Sequence, residues 1–162
     1  MTGQSDAERS VTHGTFVIER TYDAPPARVF AAWADPVVKA RWFAEDDDWQ
    51  SVEYDLDFRV GGQETSRGIM PGGAEFAYHA HYQDIVPDRR IVYAYDMHMD
   101  GKRLSVSLST MELTAAGAGT VLTYTEQGAF LDGHDTPAQR EGGSASIFDA
   151  LAAELRRDPT DG

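Results

Sequence analysis

The sequence predicts an α+β fold in which a curved antiparallel sheet of about seven strands surrounds a long C-terminal helix, with two short helices after the first strand. Three observations lead to this prediction. Apolar and polar residues alternate with a period of two along most of the chain, proline marks two helix starts directly after the first such segment, and the final segment changes to a helical period. A meander that curls around the last helix buries that helix's apolar side, which defines a helix-grip arrangement.

The first predicted strand covers residues 15–22. Phe16, Ile18 and Tyr22 fall on one face, and polar residues occupy most of the other. Residues 1–13 contain no apolar stretch of the kind found in secretory signals, so they are expected to form a flexible tail. Residues 14–157 are expected to form a single domain, followed by a frayed C-terminus at residues 158–162.

Two proline-containing signals then predict the two short helices. Pro25 and Pro26 fit the first turn of a helix, because the missing N–H of proline has no partner there, and Trp33 belongs to the aromatic stripe that this helix buries. Asp35 is an N-cap carboxylate followed directly by Pro36, so the second helix is expected to cover residues 36–43.

Four further strands follow, separated by turns that contain glycine or proline. The third strand of the chain, residues 63–70, has a weak pattern, and the orientation of its Glu64 stays open. The other three have clear apolar faces that are expected to point inward. These faces are Val52, Tyr54, Leu56 and Phe58 in the second strand, Phe76, Tyr78, Ala80 and Tyr82 in the fourth, and Ile91, Tyr93, Tyr95 and Met97 in the fifth.

The sixth strand changes its apolar face part-way along. Val106 and Leu108 share one face, whereas Met111 lies on the opposite one. A β-bulge, which inserts one extra residue into a strand, would bring both groups to the same side. The sequence therefore predicts a bulge near Ser109 or Thr110.

The C-terminal helix is predicted to run to about Arg157, starting at a capping box formed by Thr136 and Gln139. Gly142 and Gly143 lie inside this segment and weaken it. They indicate either that the sheet or a ligand approaches the helix closely at this point, or that the segment breaks into two helices. The apolar face of the helix consists of Ile147, Phe148, Leu151, Ala152 and Leu155.

Composition excludes several classes of function. The 27 acidic residues outnumber the 14 basic ones, and the formal charge of −13 argues against a nucleic-acid partner. No apolar stretch approaches the roughly 20 residues that span a bilayer, so a cytoplasmic location without a membrane span is expected. The absence of cysteine removes disulfides, thiolate nucleophiles and cysteine-bound metal clusters, and no cofactor is predicted.

Motifs along residues 13–155 resemble those of one known family. They are Gly14-Thr15-Phe16, Val29-Phe30-Ala31-Ala32-Trp33-Ala34-Asp35-Pro36, Arg41-Trp42-Phe43, Asp57-Phe58-Arg59-Val60-Gly61-Gly62, Ile85-Val86-Pro87 and Gly119-Thr120. In this order they resemble the Hsp90-ATPase-activator-like branch of the START/Bet v 1-like (SRPBCC) superfamily. The resemblance implies a deep apolar cavity between the curved sheet and the C-terminal helix. It carries over no catalytic residue, because this branch has no shared catalytic motif.

Aromatic side chains are the strongest candidates for a ligand site. Packing in an ordinary core explains any single ring, but several buried tyrosine hydroxyls need partners that a wet or ligand-filled cavity supplies. The candidate cavity residues are Trp33, Trp42, Phe43, Phe58, Phe76, Tyr78, Tyr82, Tyr93, Tyr95, Met97, Tyr124, Glu126, Phe130 and Phe148.

Glu126 is the candidate catalytic residue. Alternation in the seventh strand places it on the same face as Leu122 and Tyr124, toward the expected cavity. A carboxylate in an apolar pocket can act as a general acid or base. The alternative is a strand-end residue that pairs with an arginine or faces water.

His79 and His81 form a His-x-His pair with the spacing of two metal ligands. If Tyr78 and Tyr82 point inward, both histidines point outward to solvent. No metal site is therefore predicted.

Three hypotheses for function remain open. The first is a protein, monomeric or homodimeric, that binds a small apolar or aromatic ligand in the cavity. The second is a cofactor-free lyase or cyclase that uses the same cavity, with Glu126 as acid or base. The third is an interaction module with a chaperone or another protein as its partner.

Overall fold

A computed structural model describes residues 9–45 and 47–157. Over this part of the chain, seven strands and three helices follow one another, and the second helix continues into a π-helical turn. The elements are β1 (Val11–Tyr22), α1 (Pro26–Ala34), α2 (Pro36–Lys39), the π-helical turn (Ala40–Ala44), β2 (Gln50–Leu56), β3 (Gln63–Ile69), β4 (Glu75–Val86), β5 (Arg90–Met99), β6 (Lys102–Ala116), β7 (Gly119–Leu131) and α3 (Pro137–Leu155).

All seven strands form one sheet in the order β1-β7-β6-β5-β4-β3-β2, and every neighbouring pair is antiparallel. The Tyr22 hydroxyl on β1 donates to the Phe148 carbonyl of α3 at 3.1 Å, and Arg41 Nε of the π-helical turn donates to Glu154 Oε1 of α3 at 2.9 Å. α3 is thus hydrogen-bonded both to the sheet and to the π-helical turn. The predicted α+β helix-grip fold is confirmed.

Most strand faces follow the predicted alternation. Phe16, Ile18 and Tyr22 of β1 are buried, as are the tyrosines at the predicted inward positions of β4, β5 and β7, whereas Phe76 of β4 and Met97 of β5 are half-buried. β1 begins at Val11, inside the segment predicted as a tail, because residues 11–14 continue the pairing with β7. Residues 1–8 and 158–162 lie outside the described residues.

The bulge predicted near Ser109 or Thr110 of β6 is wrong. The pairing of β6 with β7 runs without interruption from Ser105 to Ala116, and its pairing with β5 shifts only at Leu104, which lies between the partners of Met97 and His98. Alternation therefore continues through β6: a row of serines faces inward, while Val106 and Leu108 face outward and are 41% and 40% exposed. The prediction failed because it assumed that the apolar side chains of this strand mark its inner face.

Two predicted helix starts are confirmed by their caps. Asp35 Oδ1 accepts a hydrogen bond from the Val37 backbone N–H at 2.9 Å, and Thr136 Oγ1 accepts one from the Gln139 backbone N–H at 3.1 Å. Each bond satisfies one of the backbone donors that a helix start leaves without a partner. These caps fix where α2 and α3 begin.

α3 continues unbroken through Gly142 and Gly143. A Cβ atom built at either position would meet no other atom within 4 Å, so the sheet does not approach them closely. Neither structural explanation predicted for the glycine pair, a helix break or a closely approaching sheet, holds.

The substitution Gly142→Ala is therefore expected to stabilise the protein by roughly 1 kcal/mol, because alanine loses less backbone entropy in a helix. Thermal unfolding followed by circular dichroism measures the effect. Gly128→Ala is the contrasting variant and should lower the melting temperature, since its Cβ would lie 2.7 Å from Phe130 Cε2. A lower melting temperature for Gly142→Ala would show that α3 needs a flexible residue at this point.

Candidate functional site

A cavity of about 400 Å³ lies between the inner face of the sheet and α3. Aromatic rings and three methionines form most of its wall, and α3 contributes the polar side chains Gln139, Arg140 and Ser144. Among the described residues, the lining consists of Trp33, Trp42, Phe43, Trp49, Ser66, Met70, Phe76, Tyr78, Tyr93, Tyr95, Met97, Met99, Tyr124, Asp135, Gln139, Arg140, Gly143, Ser144, Ile147 and Phe148.

Ten of the fourteen predicted cavity residues border this cavity. They come from α1, the π-helical turn, β4, β5, β7 and α3, which the fold brings together around one space. The ten are Trp33, Trp42, Phe43, Phe76, Tyr78, Tyr93, Tyr95, Met97, Tyr124 and Phe148.

The other four predicted residues do not border the cavity. The Phe58 ring packs against Tyr82, with ring centroids 5.1 Å apart, and Tyr82 in turn hydrogen-bonds to Glu64. Phe130 is buried against Arg140, whose guanidinium carbon lies 5.3 Å from the ring centroid. Glu126 lies behind the cavity wall, in a polar cluster of its own.

We call this group the Glu126 cluster: Glu126, Arg140, Tyr95, Tyr124 and Ser107. Glu126 Oε2 accepts hydrogen bonds from the hydroxyls of Tyr95 at 2.7 Å and Ser107 at 2.8 Å, and its Oε1 accepts one from the Tyr124 hydroxyl at 2.6 Å. The carboxylate is fully buried, but hydroxyl donors surround it in place of the expected apolar pocket. Tyr95 and Tyr124 both hydrogen-bond to Glu126 and border the cavity.

Arg140 provides the positive charge of the Glu126 cluster. Its Nη1 donates to the Tyr95 hydroxyl at 2.9 Å and lies 3.6 Å from Glu126 Oε2. Its Nη2 donates to Ser105 Oγ at 2.7 Å and to Asp135 Oδ2 at 2.8 Å. The guanidinium is therefore held between two carboxylates.

The tyrosine hydroxyls of the Glu126 cluster stay protonated. Burial raises the pKa of Tyr95 well above its ordinary value, and the Glu126 carboxylate raises it further. Burial likewise raises the pKa of Tyr124, with contributions from Tyr93, Tyr95 and Glu126. Both hydroxyls are thus fixed as hydrogen-bond donors to the carboxylate.

A second buried ion pair joins α2 to β3. Lys39 Nζ lies 2.9 Å from Glu64 Oε2 and 3.1 Å from Oε1, and both side chains are almost completely buried. The hydroxyls of Tyr54 and Tyr82 also donate to Glu64. Burial lowers the pKa of Lys39, although the Glu64 charge opposes this change.

The Lys39–Glu64 pair lies behind the cavity wall. Lys39 Nζ is 4.5 Å from the centroid of the Phe43 ring and 4.9 Å from that of the Trp33 ring, and both rings border the cavity. Cation–π attraction adds to the ion pair at such distances. The pair anchors the start of the π-helical turn that carries Trp42 and Phe43.

Sequence reasoning missed Lys39, Glu64 and Arg140. A signal for Arg140 was present, because Arg140, Ser144 and Phe148 recur every four residues along one side of α3. Nothing in the sequence near Lys39 indicated that an isolated lysine would be buried. Glu64 alternates with Ser66 in β3, but small polar residues do not reveal which face is the inner one.

His79 and His81 lie on the outer face of β4, as their alternation predicted. Their rings contact each other with centroids 4.5 Å apart, and His79 Nε2 lies 2.9 Å from Gln63 Oε1. Among residues 9–45 and 47–157, no three His, Asp or Glu side chains are placed to hold a metal ion together.

Comparison with known proteins decides the family. The model of a family described as Activator of Hsp90 ATPase homolog 1-like protein matches residues 23–156. The chain belongs to this AHSA1-like family. The resemblance read from the sequence motifs is thereby confirmed, and the AHSA1-like fold in general supports a module that binds a ligand or another protein.

Solved structures agree with this assignment. The AHSA1-like chain is 45% identical to a protein of Rhizobium leguminosarum, with a TM-score of 0.89 over 93% of this chain and 99% of the other. It is 52% identical to a protein of Rhizobium loti, with a TM-score of 0.84 over 90% and 99% of the two chains. An AHSA1-like protein of Aeromonas hydrophila shares the fold at 24% identity, with a TM-score of 0.67 over 88% and 92%.

Among curated proteins, none matches the chain. Within the part of the chain that the structure describes, no helix is both long enough and apolar enough to cross a membrane.

Proposed function

We propose that this AHSA1-like protein binds a small apolar or aromatic molecule in the cavity between the sheet and α3. The observation that carries the proposal is the cavity itself: a space of about 400 Å³ with a predominantly aromatic wall and a few polar side chains at α3. Protein interiors pack closely and leave few spaces larger than a water molecule. A cavity of this volume falls within the range of small-molecule sites.

The composition of the wall supports an apolar ligand body. Aromatic rings offer large flat contact surfaces, and Met70, Met97 and Met99 can adapt their flexible side chains to an irregular shape. Gln139, Arg140 and Ser144 of α3 supply polar atoms that would orient one end of the ligand.

The position of Glu126 favours binding over acid–base catalysis. Its carboxylate oxygens are occupied by hydroxyls of the cluster, and it does not border the cavity. A general acid or base must come within hydrogen-bond reach of the atom that it protonates or deprotonates. We therefore assign Glu126 a positioning role, in which it holds the hydroxyls of Tyr95 and Tyr124.

Two measurements test the proposal. Native mass spectrometry of freshly purified protein, compared with the denatured mass, should reveal a bound small molecule. The neutral fluorescent probe N-phenyl-1-naphthylamine should bind with increased fluorescence, because its emission rises in apolar surroundings.

Ser144→Phe is expected to weaken binding of the probe at least about tenfold, since a tenfold change corresponds to only about 1.4 kcal/mol. Ser144 is buried and borders the cavity, so a larger side chain would occupy the ligand's space. Ser146→Phe is the matched control, because Ser146 lies on the exposed side of the same helix. Circular dichroism verifies that both variants fold. Equal binding by wild type and Ser144→Phe would contradict the proposed site.

A further inference from the structure

The charged side chains around the cavity already form ion pairs with one another. Among the described residues, Arg140 and Asp135 are the only charged side chains that border it. They bind each other at 2.8 Å, and Glu126 approaches Arg140 from behind at 3.6 Å. The one cation at the cavity surface therefore has two carboxylate partners.

The second buried cation, Lys39, also has a carboxylate partner. Lys39 lies behind the aromatic wall and forms its ion pair with Glu64 at 2.9 Å. Together, the ion pairs of Lys39 and Arg140 contain two cations and three carboxylates, Glu64, Glu126 and Asp135, so their formal sum is −1. No cation of this group is left to receive an anionic ligand.

An anionic group would therefore bind poorly in the cavity. It would lose its hydration on entering an aromatic space, and Arg140, the one cation that borders the cavity in the part of the chain that the structure describes, is already bound by Asp135 and Glu126. A cationic group would lose hydration in the same way and would meet the Arg140 guanidinium, while Asp135 is engaged by that guanidinium.

The polar side chains that remain at the cavity are neutral. Ser66, Ser144 and Gln139 carry hydroxyl and amide groups, which hydrogen-bond to carbonyl and hydroxyl oxygens. Resting on the proposed binding function, we infer that the ligand is an uncharged molecule whose oxygen atoms are carbonyl or hydroxyl groups, and that the cavity discriminates against free carboxylates and phosphate esters.

Two probes with the same ring system test this inference. The ketone 2-acetylnaphthalene and the carboxylate 2-naphthoate are each titrated at neutral pH against the bound fluorescent probe N-phenyl-1-naphthylamine. The wild-type protein should bind the ketone at least about tenfold more tightly than the carboxylate.

Asp135→Asn should change this preference in a defined way. Asp135 Oδ1 accepts from the Thr136 backbone N–H at 2.8 Å, and an asparagine oxygen can keep that bond, whereas the negative charge beside Arg140 is lost. The affinity for 2-naphthoate should rise about tenfold, and the affinity for 2-acetylnaphthalene should stay within about twofold. Asp149→Asn is the control, because it alters the net charge equally at an exposed position of α3 that does not border the cavity.

The outcomes separate this inference from the proposed function. If the wild type binds 2-naphthoate as tightly as the ketone, or if Asp135→Asn leaves the carboxylate affinity unchanged, the uncharged ligand class is overturned while the cavity remains a binding site. If neither N-phenyl-1-naphthylamine nor the two naphthalene compounds bind the wild type, the proposed function is overturned and this inference with it.

Discussion

The protein is expected to unfold in one sharp transition when the pH is raised above about 10, the ordinary pKa of a tyrosine hydroxyl. All seven tyrosines of the chain have a raised pKa in the folded state, in each case mainly because burial disfavours the charged form. They are Tyr22, Tyr54, Tyr78, Tyr82, Tyr93, Tyr95 and Tyr124.

The sign of the effect follows from proton binding. Above the ordinary pKa, the unfolded chain releases its tyrosine protons, whereas the folded protein retains them. The free energy of unfolding then falls by about 1.4 kcal/mol per pH unit for each tyrosine until the folded-state pKa is reached. Lys39 acts in the opposite direction because its pKa is lowered, but only up to its ordinary pKa of about 10.4, above which both states have lost this proton.

An alkaline titration measures this transition with two signals. Tyrosinate absorbance in the near ultraviolet should appear at the same pH at which the circular dichroism of the folded protein is lost. The denatured protein is the control and should titrate smoothly around the ordinary pKa. Gradual appearance of tyrosinate while the circular dichroism is unchanged would show that the hydroxyls are accessible in the folded state.

Lys39→Met is expected to destabilise the protein by about 3–5 kcal/mol, the usual cost of removing one partner of a buried ion pair. Methionine has a similar length but leaves the fully buried Glu64 carboxylate without its counter-charge. Chemical denaturation at neutral pH gives the free energy of unfolding directly. The double variant Lys39→Met with Glu64→Gln should recover part of the loss, because no buried charge then remains at this point.

Lys102→Met is the matched control for this experiment. Lys102 is the other lysine of the chain and lies exposed at the start of β6, so its substitution should change the stability by no more than about 0.5 kcal/mol. Equal stability of Lys39→Met and Lys102→Met would contradict the assignment of Lys39 and Glu64 as a tightly bound pair.

Alternation predicted the inner face correctly wherever aromatic side chains mark it. In β4 and β5, Tyr78, Tyr82, Tyr93 and Tyr95 are separated by even numbers of residues within each strand and so share its inner face, and each of these rings is buried. A strand can place such large side chains together on only one side. The same large residues therefore predicted most of the cavity wall.

β6 itself alternates, but its inner face was predicted wrongly because the first half of that face is polar. Three serines of this face are buried, and each has a hydrogen-bond partner in the interior. Ser105 bonds to Arg140, Ser107 to Glu126 and Ser109 to Tyr124. None of these partners lies on β6 itself, so the sequence of the strand gave no indication that serines would be its buried side. Burial of a polar side chain depends on a partner that only the assembled fold brings near.

The class of fold, the order of its elements, the two capped helix starts and the aromatic character of the interior could all be predicted from the sequence. These features depend on local periodicity and on side-chain size, which are readable along the chain. Which charges meet in the interior depends on the assembled fold, which pairs Lys39 with Glu64 and Arg140 with Glu126 and Asp135. Such pairs join separate elements, and their stability comes from the distances and burial that packing creates.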